Sequence, residues 1–174
     1  MNRGRNCWIP LFLLAFVICG CGYHFSPGGE HIDKGIQRVF VEKFVNQTSE
    51  ANLENYVQSA FINEVRMGSR FELAGSREKT DAILSGKILR SDVSHLSYSN
   101  VDVATENRVT VTMEIAFKAR GSGEIIWNNN AVTGNESFLV TTDPNRTETN
   151  RKNALIKLVG DMAERAYRSI MSGF

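Results

Sequence analysis

A chain of 174 residues, 42% hydrophobic and 22% charged, has the size and composition of one globular domain with a substantial core. Its 20 basic and 19 acidic residues nearly cancel, which excludes a broad grip on nucleic acid, because that needs a basic surplus gathered on one face. No run of five or more like charges, internal repeat or low-complexity tract is present, so neither a charged tail nor a repeat array is expected.

At the N-terminus, Arg3 and Arg5 precede an apolar stretch from Trp8 to Ile18 interrupted by Pro10, a charged n-region followed by an h-region. The uncharged run from Cys7 to Cys21 is about fifteen residues long, short of the roughly twenty that span the hydrocarbon core. It reads as a secretory signal over residues 1–20. The segment closes with Ile18-Cys19-Gly20-Cys21, which resembles the bacterial lipobox: a branched apolar residue, a small one, Gly or Ala, then the lipidated cysteine. Ile18 is too bulky to precede a modified Cys19, whereas Gly20 before Cys21 fits. All three cysteines lie in the first 21 residues, so after cleavage Cys21 has no disulfide partner. Acylation, with palmitate among its chains, gives it a use: each buried methylene contributes roughly 0.8 kcal/mol, and several chains hold a protein on a membrane. An Asp after the cysteine would, by resemblance to known lipoproteins, favour the inner membrane. Gly22 there implies the cell outer membrane, periplasmic side.

Removing the first 20 residues leaves 154, with 18 basic against 19 acidic side chains. Residues 21–35, rich in Gly and polar groups, read as a lipidated leader, and residues 36–174 as a single domain. Val39 to Val45 reads as a first strand. Thr48 or Ser49 can then cap a helix whose first turn gains from Glu50. In that helix Leu53, Tyr56, Val57, Ala60, Phe61 and Val65 recur at three- and four-residue spacing, and Gly68 ends it. Phe71 to Leu73 is a short strand, and Asp81 to Asp92 another, with Ala82, Leu84, Gly86 and Ile88 on one face. The clearest period belongs to Arg108–Lys118: Val109, Val111, Met113, Ile115 and Phe117 alternate with Thr110, Thr112, Glu114, Ala116 and Lys118, a half-buried strand. Gly121-Ser122-Gly123 turns the chain into a long partner from Glu124 to Val140, in which Gly134 is a candidate bulge. Asp143-Pro144 breaks that strand, and Ala154, Leu155, Leu158, Val159, Met162, Ala166 and Ile170 mark a closing amphipathic helix. The order implies an α+β two-layer sandwich: a mostly antiparallel sheet of four to five strands, two helices packed on one face, and the polar face left open.

Catalytic chemistry is thin. His24, His31 and His95 are isolated from one another and from any ligand set with metal-binding spacing. Gly121-Ser122-Gly123 lacks the Lys of a phosphate loop. No Gly-x-Ser-x-Gly elbow marks a hydrolase. A non-enzymatic protein with no cofactor and no metal is expected, and an exposed sheet beside long hairpins suits docking.

The body of the chain resembles a known family. Cys21-Gly22-Tyr23-His24-Phe25 after the lipobox, the strand from Val39 ending in Phe44-Val45-Asn46-Gln47-Thr48, the segment Asp81-Ala82-Ile83-Leu84-Ser85-Gly86 and the closing helix together resemble LptE, the lipopolysaccharide-assembly lipoproteins, from Cys21 to the C-terminus. The resemblance implies a non-enzymatic partner of the outer-membrane barrel LptD that sits within the barrel as a plug, assists its assembly and helps deliver lipopolysaccharide to the outer leaflet. It also implies lipopolysaccharide contact through basic residues near loops at one end of the sheet, where cations would pair with lipid A phosphates. The corresponding hairpin here, Leu96 to Glu106, contains no Lys or Arg. Arg108 at the strand entrance and Arg146 in the loop before the last helix are the lipopolysaccharide-binding candidates; Lys118 and Arg120 lie near the opposite turn. Val39 to Thr48 also resembles the opening of secretion-pore and synthase-activator lipoproteins of the CsgG and LpoB kind, which leaves an interaction module of another envelope machine as the alternative. A periplasmic hydrolase is a more distant one.

Overall fold

Along the chain the elements are β1 (Arg38–Val41), β2 (Val45–Asn46), α1 (Leu53–Met67), β3 (Glu72–Leu73), a 3-10 turn at Arg77–Lys79, β4 (Ala82–His95), β5 (Thr105–Ala119), β6 (Ile125–Val140) and α2 (Pro144–Ser172). They are drawn from a computed structural model that describes residues 31–96 and 105–173. Its centre is the strand with the clear period. Val109, Val111, Met113, Ile115 and Phe117 of β5 are buried, and Thr110, Thr112, Glu114 and Ala116 face the other way, half-buried. Strand β5 lies antiparallel to β4 and β6, with Leu84 opposite Phe117 on one side and Gly134 opposite Val111 on the other.

The fold is the expected α+β two-layer arrangement. Its sheet has six strands in the order β3-β1-β4-β5-β6, with β2 also beside β4. The three short N-terminal strands pair in parallel, β1 with β3 and β4, and β2 with β4. The cause is α1: a helix that carries the chain back across the sheet delivers the next strand in the same direction as the last. What reads in sequence as one strand from Val39 to Val45 is therefore two, because Phe44 turns inward between them and is almost wholly buried.

Both helices cover one face. Leu53, Val57, Phe61 and Val65 of α1 and Leu155, Leu158, Val159, Met162, Ala166 and Ile170 of α2 share a single core with the apolar row of β5. They run in the same direction: the loop before α1 meets the start of α2 where Glu50 pairs with Arg151, and Gly68 after α1 meets Tyr167 near the end of α2. Gly134 does not bulge its strand; the irregular pairings fall instead between Met113 and Ile115 and between Phe117 and Lys118. Its role is close approach. A Cβ there would stand 2.8 Å from both the Leu158 Cδ1 and Met162 Cγ atoms, so glycine lets α2 settle onto β6.

The parallel seam is tied by one carboxylate. Asp81 accepts hydrogen bonds from the Arg38 backbone N–H at 2.8 Å, the Arg38 Nη2 at 3.0 Å and the Gln37 N–H at 3.2 Å. The Arg38 guanidinium first, then these backbone donors, hold its pKa at about 2, below the ordinary 3.8. A carboxyl with a depressed folded-state pKa stabilises the fold above its unfolded value and loses that contribution as pH falls through the folded one. Unfolding free energy should decline between about pH 4 and pH 2, and Asp81→Asn should flatten that decline while costing about 1 kcal/mol at neutral pH. Urea titrations of both proteins across that range check it.

Candidate partner and lipid interface

The loop that opens α1 is built from the residues of the Phe44-to-Thr48 motif. The Asn46 side chain lies at its centre: Nδ2 donates to the Glu50 carbonyl at 2.8 Å and to Glu54 Oε2 at 3.0 Å, while Oδ1 accepts from the Thr48 N–H and hydroxyl at 3.0 and 2.8 Å. Thr48 in turn accepts from the Glu50 N–H. Contrary to the sequence expectation, neither Thr48 nor Ser49 caps the helix. The cap position is Asn52, at φ 63 and with no side-chain cap bond, because the tight Asn46 loop has already reversed the chain. Glu50 lies before the helix and pairs with Arg151, whose guanidinium pKa is raised by its bonds to Glu148 and Glu50. The motif is thus a structural joint between sheet and helix layer.

The surface left open is the outer face of β4, β5 and β6. Cross-strand pairs run along it: Lys87 with Glu114 at 3.4 Å, the Thr112 and Thr133 hydroxyls at 3.1 Å, then Asp92 beside Thr110 and Ser94 beside Arg108. Ile125 and Leu139 add apolar side chains at its two ends, each 54% exposed. Strand alternation made the polar row legible; Leu139 was hidden in the run Phe138-Leu139-Val140, which gives no alternation to read.

Arg108 and Arg146 come to the same end of the molecule but in different layers. Arg108 is exposed near the start of β5, on the outer sheet face, opposite Ser94 and Ser137. Arg146 is not in a loop: α2 begins at Pro144, so Arg146 occupies its first turn, exposed. Asp143 caps that turn by accepting from the Asn145 N–H at 2.9 Å, and proline at the first helical position gives up an N–H that would have been unpaired. Neither arginine makes an ion pair with a described residue. Lys118 is exposed at the far end of β5, and Arg120 donates to the Thr80 carbonyl there at 2.8 Å. Most of the Leu96-to-Glu106 hairpin, together with Cys21, His24 and the signal segment, lies outside the described residues.

His95 contacts the Asn107 amide oxygen through Nδ1 at 2.8 Å. Among the described residues no three His, Cys, Asp or Glu side chains are grouped as a metal site, and no helix is long and apolar enough to cross a membrane. The described residues form an α+β two-layer domain whose outer sheet face is polar and carries exposed cations towards both ends. The profile of the lipopolysaccharide-assembly family LptE matches residues 36–171, and the chain belongs to that family. Two solved structures share the fold at low identity. Protein XCC0632 from Xanthomonas campestris is 9% identical, with 79% of this chain and 85% of that one covered at a TM-score of 0.54. A candidate lipoprotein of Caulobacter crescentus is 10% identical, with 76% and 88% covered at 0.51. No curated protein sequence matches significantly.

Because the Asn46 amide joins four groups that would otherwise compete for water, Asn46→Ala should cost about 1–3 kcal/mol. Asn46→Asp should be no rescue, since it loses the donor to the Glu50 carbonyl and sets a second carboxylate beside Glu54. Urea unfolding of the three proteins measures the difference.

Proposed function

We propose that this chain is an outer-membrane lipoprotein, cut before Cys21 and acylated there, that binds and helps assemble an LptD-type β-barrel and assists delivery of lipopolysaccharide to the outer leaflet. The observation that carries the reading is membership of the lipopolysaccharide-assembly family across the whole two-layer domain, residues 36–171. The outer sheet face supports it. Short polar side chains such as Thr110, Thr112, Ser94 and Ser137 offer hydrogen-bonding groups without bulk, which suits contact with the polar interior of a barrel. The role is non-enzymatic: the chain supplies a surface, with one exposed arginine on it and a second in the helix layer at the same end of the molecule.

Arg108 and Arg146 are the proposed lipopolysaccharide contacts, because exposed guanidinium groups without carboxylate partners are available for bidentate pairing with phosphate. The alternative, a pore subunit or synthase activator, draws little from the Phe44-to-Thr48 motif, because its Phe44, Asn46 and Thr48 side chains are taken up in the contacts between sheet and helix, and only Val45 and Gln47 are exposed.

The lipidated protein should be captured from detergent-solubilised outer membranes and its companions identified by mass spectrometry. Expected are a large β-barrel at equal stoichiometry, bound lipopolysaccharide and an acylated Cys21 peptide, with Cys21→Ser released from the membrane but folded. A homo-oligomeric ring or a peptidoglycan synthase in place of the barrel would move the function to the alternative. In the same preparation, Arg108→Glu with Arg146→Glu should lower retained lipopolysaccharide several-fold without loss of the barrel; unchanged lipopolysaccharide would remove both residues from the lipid path.

A further inference from the structure

The sheet ends on two unlike edges. One is β3, 2 residues long, and the other is β6, 16 residues long, with no described strand beyond it. The Leu96 N–H donates to the Glu106 carbonyl at 3.0 Å, so Glu106 turns its backbone groups towards β4, and Leu139, opposite it on β6, turns its own away from the sheet. The Leu139 carbonyl accordingly accepts from the Asn150 side chain at 2.9 Å. Alternation sends the N–H and C=O groups of Thr133, Asn135 and Ser137 outward too, and no described residue bonds to them.

Exposed edges of this length are ordinarily blunted by Lys, Pro or an unpaired inward charge. Residues 133–139 contain no Lys, Arg or Pro, and their one charge, Glu136, is held by Lys157 at 2.7 Å. Asn150 closes one end of the stretch, and a bulge between Asn129 and Val132 closes the other. A groove of about 280 Å³ runs beside its second half, between Glu136, Ser137 and Leu139 on the strand and Asn150, Asn153 and Lys157 on α2. Under Gly134, on the helix side, lies the Arg165 guanidinium, with Nη2 2.9 Å from where a Cβ would stand. It is exposed and makes no ion pair with a described residue.

We propose that residues 133–139 are a strand-addition site, which takes an extended segment of a partner protein as one more strand of the sheet. Backbone groups of Thr133, Asn135 and Ser137 hold the segment over about 20 Å. Residues opposite one another on neighbouring strands share a face, so an Asp or Glu set against Gly134 meets Arg165 on the helix side. A second copy of this chain fits less well. About the twofold that sets Gly134 against Glu136, each Leu139 meets the end of the other's bulge, and Glu136, the carboxylate this edge would offer to Arg165, is already held by Lys157. The inference rests on the proposed role as partner of a larger envelope protein, and the test separates the two.

Hydrogen exchange at single-residue resolution compares the lipidated protein purified alone with the same protein in the barrel complex captured from outer membranes. Amides of Thr133, Asn135 and Ser137 should exchange at least tenfold more slowly in the complex, while those of Gly134, Glu136 and Phe138, which face β5, stay slow in both. Asn135→Pro removes an outward N–H and no bond to β5, so it should keep the thermal transition and abolish the protection of Thr133 and Ser137. Arg165→Glu, at an exposed position, should lower that protection several-fold, and it carries the test if the proline variant does not fold. Unchanged exchange in an intact barrel complex, or protection indifferent to both variants, overturns the strand-addition site and leaves the proposed function standing. Protection in the protein purified alone, with a dimeric mass, overturns it in favour of a second copy. A different companion in place of the barrel removes the proposed function, and the same three amides, read in that assembly, decide the edge by the same criterion.

Discussion

The Phe44 ring sits where three elements would otherwise have no reason to meet. It stacks on Phe61 of α1, with centroids 5.3 Å apart and planes within 9°, and its edge lies over Gly86 of β4 so closely that a Cβ there would stand 2.5 Å from the ring. Offset aromatic stacking fixes distance and tilt more tightly than aliphatic contact. A side chain at position 86 would push the ring away from the sheet, and with it the start of the helix layer. The segments Phe44-to-Thr48 and Asp81-to-Gly86 are therefore two halves of one joint: Asp81 fastens the beginning of β1, Gly86 receives the ring that follows it, and Asn46 then turns the chain into α1. Phe44, Asn46, Asp81 and Gly86, which resemble parts of a family signature, are accounted for here by packing and hydrogen bonding.

How much of this could be read beforehand depended on whether apolar burial or polar bonding held each element. Strand β5 is held by burial on one face, so its period was plain, and the apolar stripes of α1 and the later turns of α2 were equally legible. The first turns of α2 were not. From Asn145 to Asn153 there is no buried apolar residue, and nothing periodic marks a helix. Polar anchors hold it instead: the Thr147 hydroxyl accepts from the Thr141 N–H at 2.9 Å, Asn150 donates to the Leu139 carbonyl at 2.9 Å, and Arg151 reaches Glu50. The same blindness placed Arg146 in a loop and gave α1 a side-chain cap it does not have. Long-range partners of polar groups leave no spacing for a reader of sequence to find.

The candidate site divides along the same line. That one sheet face would be polar and uncovered followed from alternation in β5; which residues would sit opposite it did not, because register is set by bulges at Leu89 and near Glu114 that no local pattern announces. Once register is known, Arg108 belongs to the sheet layer and Arg146 to the helix layer, sharing only an end of the molecule.

That separation constrains how a lipid could be handled. Under the proposed lipopolysaccharide role, the two guanidinium groups would approach the lipid from different layers, Arg108 from the sheet and Arg146 from the first turn of α2. A protein built to store a lipid would enclose its acyl chains, and the side of β5 that could do so is filled by α1 and α2, with Val111, Met113 and Ile115 buried beneath them. What remains outside is polar, with isolated apolar residues at Ile125 and Leu139. Under the proposed function, such a surface would line one wall of a lipid path, while the partner barrel supplies the remaining walls.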